Sequence, residues 1–290
     1  MGTILDTVGN TPLVELKKLN KNPAVRIFAK LEGNNPGGSV KDRPALNMMR
    51  SALERGDINT ESRLIEATSG NTGIALALMA NLFNLNIELV MPVTSTRERV
   101  LTMEAFGAKV TLLDSIEICR DYADEKSQSG EFYMLNQFAN PDNPLAHYKT
   151  TGPEMWRDTN QEITHFVSSM GTTGSIMGCS SYLKEVNSNI QIIGCQPTEE
   201  ASIPGIRRWT KEYIPKIFNP DKVDRIMDIT QNEAVETTRL LARKEGIFAG
   251  MSSGGAASAA LRLSEELSEG VIVFICCDRG DRYLSSNLFG

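Results

Sequence analysis

Short apolar runs alternate along this chain with small-residue turns and stretches of helical spacing. That regularity narrows the possible folds more than any single motif does. After strands at Leu13 to Leu16 and Arg26 to Leu31, Leu64 to Ala67 leads into the turn Thr68 to Gly73 and a helical stretch over Ile74 to Phe83. Ile87 to Met91 ends at Pro92 and precedes helical spacing over Arg97 to Phe106. Lys109 to Leu113 and Phe132 to Leu135 read as further strands around the polar helix Ile116 to Ser129. A second series follows the turn-rich Asn140-Pro141-Asp142-Asn143-Pro144. Its strands are expected at Thr164 to Ser168, Ile190 to Cys195, Arg225 to Ile229, Gly246 to Ala249 and Val271 to Cys276, with helices such as Ile176 to Val186 and Glu233 to Lys244 between them. Such alternation implies parallel sheets joined by right-handed crossovers. The expected fold is therefore α/β, with two doubly wound open-sheet domains facing one another across a cleft at the strand C-termini. The smaller domain is expected over 35–143, and the larger from 1–34 together with 144–290.

Composition excludes several classes. A net charge of -6 and the lack of a basic run argue against nucleic-acid binding. The most apolar long segment, Gly73 to Pro92, is interrupted by Asn81, Asn84, Asn86 and Glu88, so no membrane span is expected. Five cysteines without zinc or CxxC spacing, and no secretory signal, point to a reducing, cytoplasmic setting. Only two histidines, His147 and His165, are present, which disfavours a histidine triad or a metal site.

Chemistry gathers in the turns, because ligands of open α/β sheets bind beyond the carboxyl ends of the strands. In Leu31 to Arg43, LEGNNPGGSVKDR, Lys41 stands between a Gly/Asn/Pro run and the start of a helix. The positive end of a helix dipole disfavours an ammonium there and favours a nucleophilic amine, although a solvated turn lysine is the plainer reading of this stretch alone. Ser39 and Asp42 are placed to form a capping pair, and Asp42 and Arg43 are read as helix starters. Four turns share small, hydroxyl-bearing or charged residues: 68–73 (TSGNTG), 171–175 (GTTGS), 252–255 (SSGG) and 277–282 (CDRGDR). Gly171, Thr172, Thr173, Gly174 and Ser175 follow a strand and open a helix, so backbone N–H groups and three hydroxyls could cradle a phosphate. The loop is neither GxGxxG nor GxxxxGK[ST]. A phosphate site without its nucleotide, together with a nucleophilic lysine, points to pyridoxal 5'-phosphate (PLP).

These motifs, in this order and from Gly9-Asn10-Thr11-Pro12-Leu13 to Asp281-Arg282-Tyr283-Leu284-Ser285, resemble the β-substituting, fold-type II PLP-dependent enzymes, the tryptophan synthase β-like family that includes cysteine synthase (O-acetylserine sulfhydrylase). Glu32 to Pro36, Ile206 to Trp209 and Cys277 to Tyr283 resemble the B-type isozyme most. The resemblance implies that Lys41 carries the cofactor and then acts as base on the substrate Cα–H. It implies that 171–175 hold the phosphate, Asn71 the 3′ oxygen and Ser252 the ring nitrogen. Thr68, Ser69, Thr72 and Gln137 would receive the substrate carboxylate. The implied reaction converts O-acetylserine and sulfide to cysteine, or uses thiosulfate to give S-sulfocysteine, through an α-aminoacrylate in a homodimer. O-phosphoserine sulfhydrylase, cystathionine β-synthase, serine/threonine dehydratase and a non-catalytic regulator are the alternatives. Arg207 and Arg208, beside Trp209, read either as an anion site or as a lid or interface contact. Cys277 reads either as a pocket residue or as an inert buried thiol. Glu66 and Arg97 read as solvated or structural charges.

Overall fold

The computed structural model describes residues 2–68 and 70–290. In chain order its strands are β1 (Leu13–Glu15), β2 (Val25–Leu31), β3 (Arg63–Ala67), β4 (Asn86–Pro92), β5 (Lys109–Leu113), β6 (His165–Ser169), β7 (Gln191–Pro197), β8 (Arg225–Ile229) and β9 (Gly270–Cys276). The helices are α1 (Asp42–Arg55), α2 (Asn71–Leu82), α3 (Arg97–Ala105), α4 (Ile116–Gln128), α5 (Asp142–Lys149), α6 (Thr151–Asp158), α7 (Gly174–Val186), α8 (Gln231–Leu240) and α9 (Met251–Glu266). Six strands form one sheet in the order β1-β2-β9-β6-β7-β8, parallel except for β1; β3-β4-β5 form a second, parallel sheet.

Burial explains the layering. The central strands of the large sheet are apolar runs buried on both faces, as parallel strands covered by helices must be. The Ser/Gly/Ala-rich α9 packs on β9 and α8, its small residues allowing close approach. In α2 the run from Ile74 to Ala80 is buried on every side, consistent with a helix that is apolar all round. Its core includes Ala45, Met48, Met49 and Ala52 of α1 and Leu89 of β4. Gly56, in the left-handed region at φ 77°, closes α1. Among the described residues no helix is long and apolar enough to cross a membrane.

Several local expectations are corrected. Residues 132–135 are not a strand: only Tyr133 pairs with β3, exchanging hydrogen bonds with Arg63 and Ile65, and Asn136 at φ 55° turns the chain away. Residues 246–249 form no strand either, because Gly246 caps a wide helical turn over Leu241–Glu245 and only Ala249 bridges to Arg279. The 140–144 stretch is not all loop, since α5 begins at Asp142. Ser39 and Asp42 make no capping box: Ser39 Oγ accepts the Lys41 N–H, while Asp42 Oδ2 accepts from Gly37 N at 2.5 Å. A Cβ at residue 37 would lie 2.6 Å from the Asp42 carboxylate, so this turn requires glycine to seat Asp42.

Candidate active site

Strand order brings the loops together. β2, β9 and β6 are parallel neighbours, and β2 runs in register with β9 as far as Leu31 and Cys276. The chain leaving β2 toward Lys41 therefore emerges beside the chain leaving β9 toward Cys277. Ser39 bridges Asp278, and Val40 N–H donates to Cys277 O at 2.8 Å. The 171–175 loop leaves β6 on the other side of β9, and Ser169 Oγ donates to Ser252 O at 2.7 Å to tie in the start of α9. From the small sheet, β3 delivers Thr68 and the start of α2. One cavity of about 600 Å³ is lined by Lys41, Thr68, Asn71, Thr72, Gln137, Gly171, Thr172, Thr173, Gly174, Ser175, Arg207, Arg208, Ser252 and Cys277. Every site residue expected from sequence is thus brought together, save Ser69, which lies outside the described residues.

The 171–175 loop has the properties of an anion cradle. Thr173 sits in the left-handed region (φ 70°) as the residue preceding α7, which opens the helix N-terminus toward the cavity. Its hydroxyl is buried without a partner, a donor available to a ligand oxygen. Gly174 leaves no room for a side chain, because a Cβ there would lie 1.9 Å from Asn143 Oδ1. Asn143 in turn donates from Nδ2 to Gln137 O at 2.7 Å and to Thr172 Oγ1 at 3.3 Å. His147 Nε2 lies 3.2 Å from the Ser175 hydroxyl and Nδ1 2.9 Å from that of Thr151. Burial, helped by the Arg43 charge, pushes its pKa down to about 3, so the ring is neutral. An unpartnered hydroxyl and an open helix N-terminus fit the phosphate of PLP.

At the start of α2, Thr68 Oγ1 accepts from the N–H groups of Gly70 and Gly73, and Thr72 donates to Gln137 Oε1 at 2.8 Å. Gln137 is held from below by Glu66, whose Oε2 accepts the Asn136 N–H at 3.1 Å. Glu66 is buried rather than solvated; burial raises its pKa to about 7 against the pull of the Asn136 and Gln137 N–H groups. Asn71 donates from Nδ2 to Asp278 Oδ2 at 2.7 Å and accepts from Arg282.

The two arginines of 207–209 differ. Arg208 turns away to Pro197 O (2.8 Å) and Asp228 (2.6 Å), a contact between β7 and β8. Arg207 is exposed at the cavity, its backbone N–H fixed on Met170 O. Trp209 Nε1 donates to Gly171 O at 2.8 Å and meets Phe138 edge-on at 5.7 Å, clasping the segment to the 171–175 loop. Cys277 is half-buried; burial pushes its thiol up to about 11, with Lys41 pulling the other way, so it is a neutral thiol near pH 7.

Two residues next to Lys41 do more than start a helix. Burial raises the Asp42 carboxyl to about 7, with the Gly37 N–H and Arg282 opposing. Arg43 is buried, bonding Glu32 at 2.7 and 2.8 Å and Glu154 twice at 2.7 Å; Glu154 also meets the fully buried Lys30 at 2.8 Å. Sequence reasoning missed this cluster, along with Asn143 and His147, because partners 111 residues apart leave no local signal.

The chain matches known proteins over nearly its whole length. A family profile described as "Pyridoxal-phosphate dependent enzyme" matches residues 4–278. Cysteine synthase B of Pseudomonas aeruginosa is 57% identical over 290 residues, covering 99% of this chain and 97% of that protein. Cysteine synthase B of Escherichia coli is 52% identical over 293 residues, covering 100% and 97%. The crystal structure of cysteine synthase (OASS) from Entamoeba histolytica superposes with a TM-score of 0.94 at 36% identity, covering 100% of this chain and 90% of that one.

Proposed function

The chain belongs to the pyridoxal-phosphate-dependent enzymes, and on that premise we propose that it makes L-cysteine from O-acetyl-L-serine and sulfide, or S-sulfocysteine when thiosulfate is the second substrate. The observation that carries this reading is that Lys41, a phosphate-type cradle and a carboxylate-type turn line one and the same cavity. PLP supplies the electron sink that acidifies the substrate Cα–H. The amine of Lys41 would hold the cofactor and move the proton at Cα. Gly171 to Ser175 and the N-terminus of α7 would hold its phosphate, Asn71 its ring oxygen and Ser252 its ring nitrogen. Ser252 would offer that nitrogen a neutral hydroxyl rather than a carboxylate. Thr68, Ser69 and Thr72 take the substrate carboxylate on the N-terminus of α2, and Gln137 closes it from the other side. Arg207 is the residue for an anionic second substrate.

The division into 35–143 and 1–34 with 144–290 is supported by sheet membership, since β3, β4 and β5 all fall within the first segment. A reducing cytoplasmic setting is supported by five free cysteines. A homodimer is the assembly proposed. The test is to add PLP to the purified protein, record the visible absorbance of the lysine-bound cofactor, and assay O-acetylserine, O-phosphoserine and serine with sulfide. The band and turnover of O-acetylserine are expected, and both should vanish in Lys41→Ala. A wild-type protein without the band, or one that turns over only O-phosphoserine or serine, overturns the reading.

A further inference from the structure

Arg282 does not line the active-site cavity; it lines a second cavity of about 320 Å³, together with Gly37, Gly38 and Arg279. Its guanidinium donates to two acceptors, the carbonyl of Gly37 and Oδ1 of Asn71. The carboxylate of Asp278 accepts the Asn71 Nδ2–H at 2.7 Å and the Tyr283 hydroxyl at 2.6 Å on the same oxygen.

These partners leave Asn71 only one orientation. A guanidinium can only donate and a carboxylate only accepts, so the amide oxygen must face Arg282 and the amide nitrogen Asp278. Turning the amide over would set a donor against a donor and an acceptor against an acceptor. With the oxygen committed and one N–H committed, the side chain can offer the cavity only its second N–H. Gly37 is fixed in the same way, its N–H on Asp42 and its carbonyl on Arg282, four residues before Lys41.

We propose that Arg282 is a positioning residue that acts through Asn71, setting its amide so that the active site receives a hydrogen-bond donor suited to an anionic ring oxygen. The proposal rests on the functional reading above, because it takes that oxygen to be the cofactor's. It assigns to the C-terminal turn a role beyond closing the fold: the turn fixes the polarity of a residue that it does not contain.

The experiment is a double-mutant cycle on the holoenzyme with Arg282→Met, Arg282→Lys, Asn71→Ala and the Asn71→Ala/Arg282→Met pair. PLP affinity is read by fluorescence titration, the electronic state of the bound cofactor by its absorbance across pH, and folding by thermal unfolding of the cofactor-free protein. Loss of one charge-assisted contact predicts about tenfold weaker PLP binding and a changed absorbance profile in Arg282→Met. Arg282→Lys, which keeps the charge but not the two-pronged reach, should recover part of each. In the Asn71→Ala background Arg282→Met should add less than about twofold, since the residue it acts through is gone. Equal losses in both backgrounds, or a lowered unfolding temperature with an unchanged absorbance profile, overturn the proposal alone. A wild-type protein that takes up no PLP overturns the functional reading, and this inference with it.

Discussion

The hydroxyl of Thr72 donates to Oε1 of Gln137 at 2.8 Å, joining the start of α2 to a segment 65 residues further along the chain. Both side chains are buried at the cavity wall. If they receive the substrate carboxylate, removing one should weaken ground-state binding more than the chemical step. Gln137→Ala is expected to raise KM for O-acetylserine about tenfold while changing kcat by less than about threefold, the loss of one hydrogen bond to a charged group. Steady-state kinetics would decide; a fall in kcat with KM unchanged would count against the carboxylate site.

The different surroundings of Arg207 and Arg208 predict different phenotypes. Arg207→Ala should raise KM for thiosulfate about tenfold and change that for sulfide much less, since hydrosulfide lacks the paired acceptor oxygens that a two-pronged guanidinium contact needs. Arg208→Ala should leave both KM values alone and loosen the link between β7 and β8 slightly, its ion pair with Asp228 being half-exposed. Equal effects of the two variants on thiosulfate would refute the division.

Much of the site was legible because its residues sit in turns that follow apolar strands, and strand order then does the assembling. Lys41, Thr68 and Gly171 to Ser175 each lie at such an end. What could not be read was tertiary. Tyr133 looks like part of a strand, yet it alone of 132–135 pairs with the outer strand β3 before Asn136 turns the backbone away. Arg43 looks like a helix starter and is a buried cation, because Glu32 and Glu154 approach it from two other elements. Arg207 and Arg208 look equivalent until β8 supplies Asp228 to one of them.

The Arg43 cluster should be costly to break. Arg43→Met leaves Glu32 and Glu154 buried with one cation fewer, and is expected to lower stability by about 3–5 kcal/mol in urea unfolding. Acid should reveal the same cluster. Burial alone would raise the Glu154 carboxyl, but Arg43 and Lys30 overrule it and hold it at about 2. A carboxyl depressed in the folded state contributes its full stability above its unfolded pKa of about 4.5 and loses it as pH falls toward 2. The acid-unfolding midpoint of Arg43→Met should therefore move to higher pH than that of the wild type. Coincident acid transitions would show that the cluster does not set the limit.

Glu66 carries the opposite linkage. Its carboxyl is raised to about 7, chiefly by burial, with the Asn136 and Gln137 N–H groups and Arg120 opposing and Asp124 reinforcing. Between about 4.5 and 7 the folded chain keeps a proton that the unfolded chain releases. This contribution to stability is therefore complete below about pH 4.5 and falls as pH rises through 7, after which it is flat. Asp42, also raised to about 7, adds to the same slope. Glu66→Gln removes one of the two groups while keeping an acceptor for the Asn136 N–H. Its stability relative to the wild type should therefore rise from pH 5 to about pH 7 and then hold level, as read from urea unfolding at pH 5, 6, 7 and 8. Because Glu66 supports Gln137, KM of the wild type for O-acetylserine should change across the same interval, and that of the variant should not. Parallel stability profiles for the two proteins would mean that Glu66 is ionised in the folded chain throughout, and that its hydrogen bonds outweigh its burial.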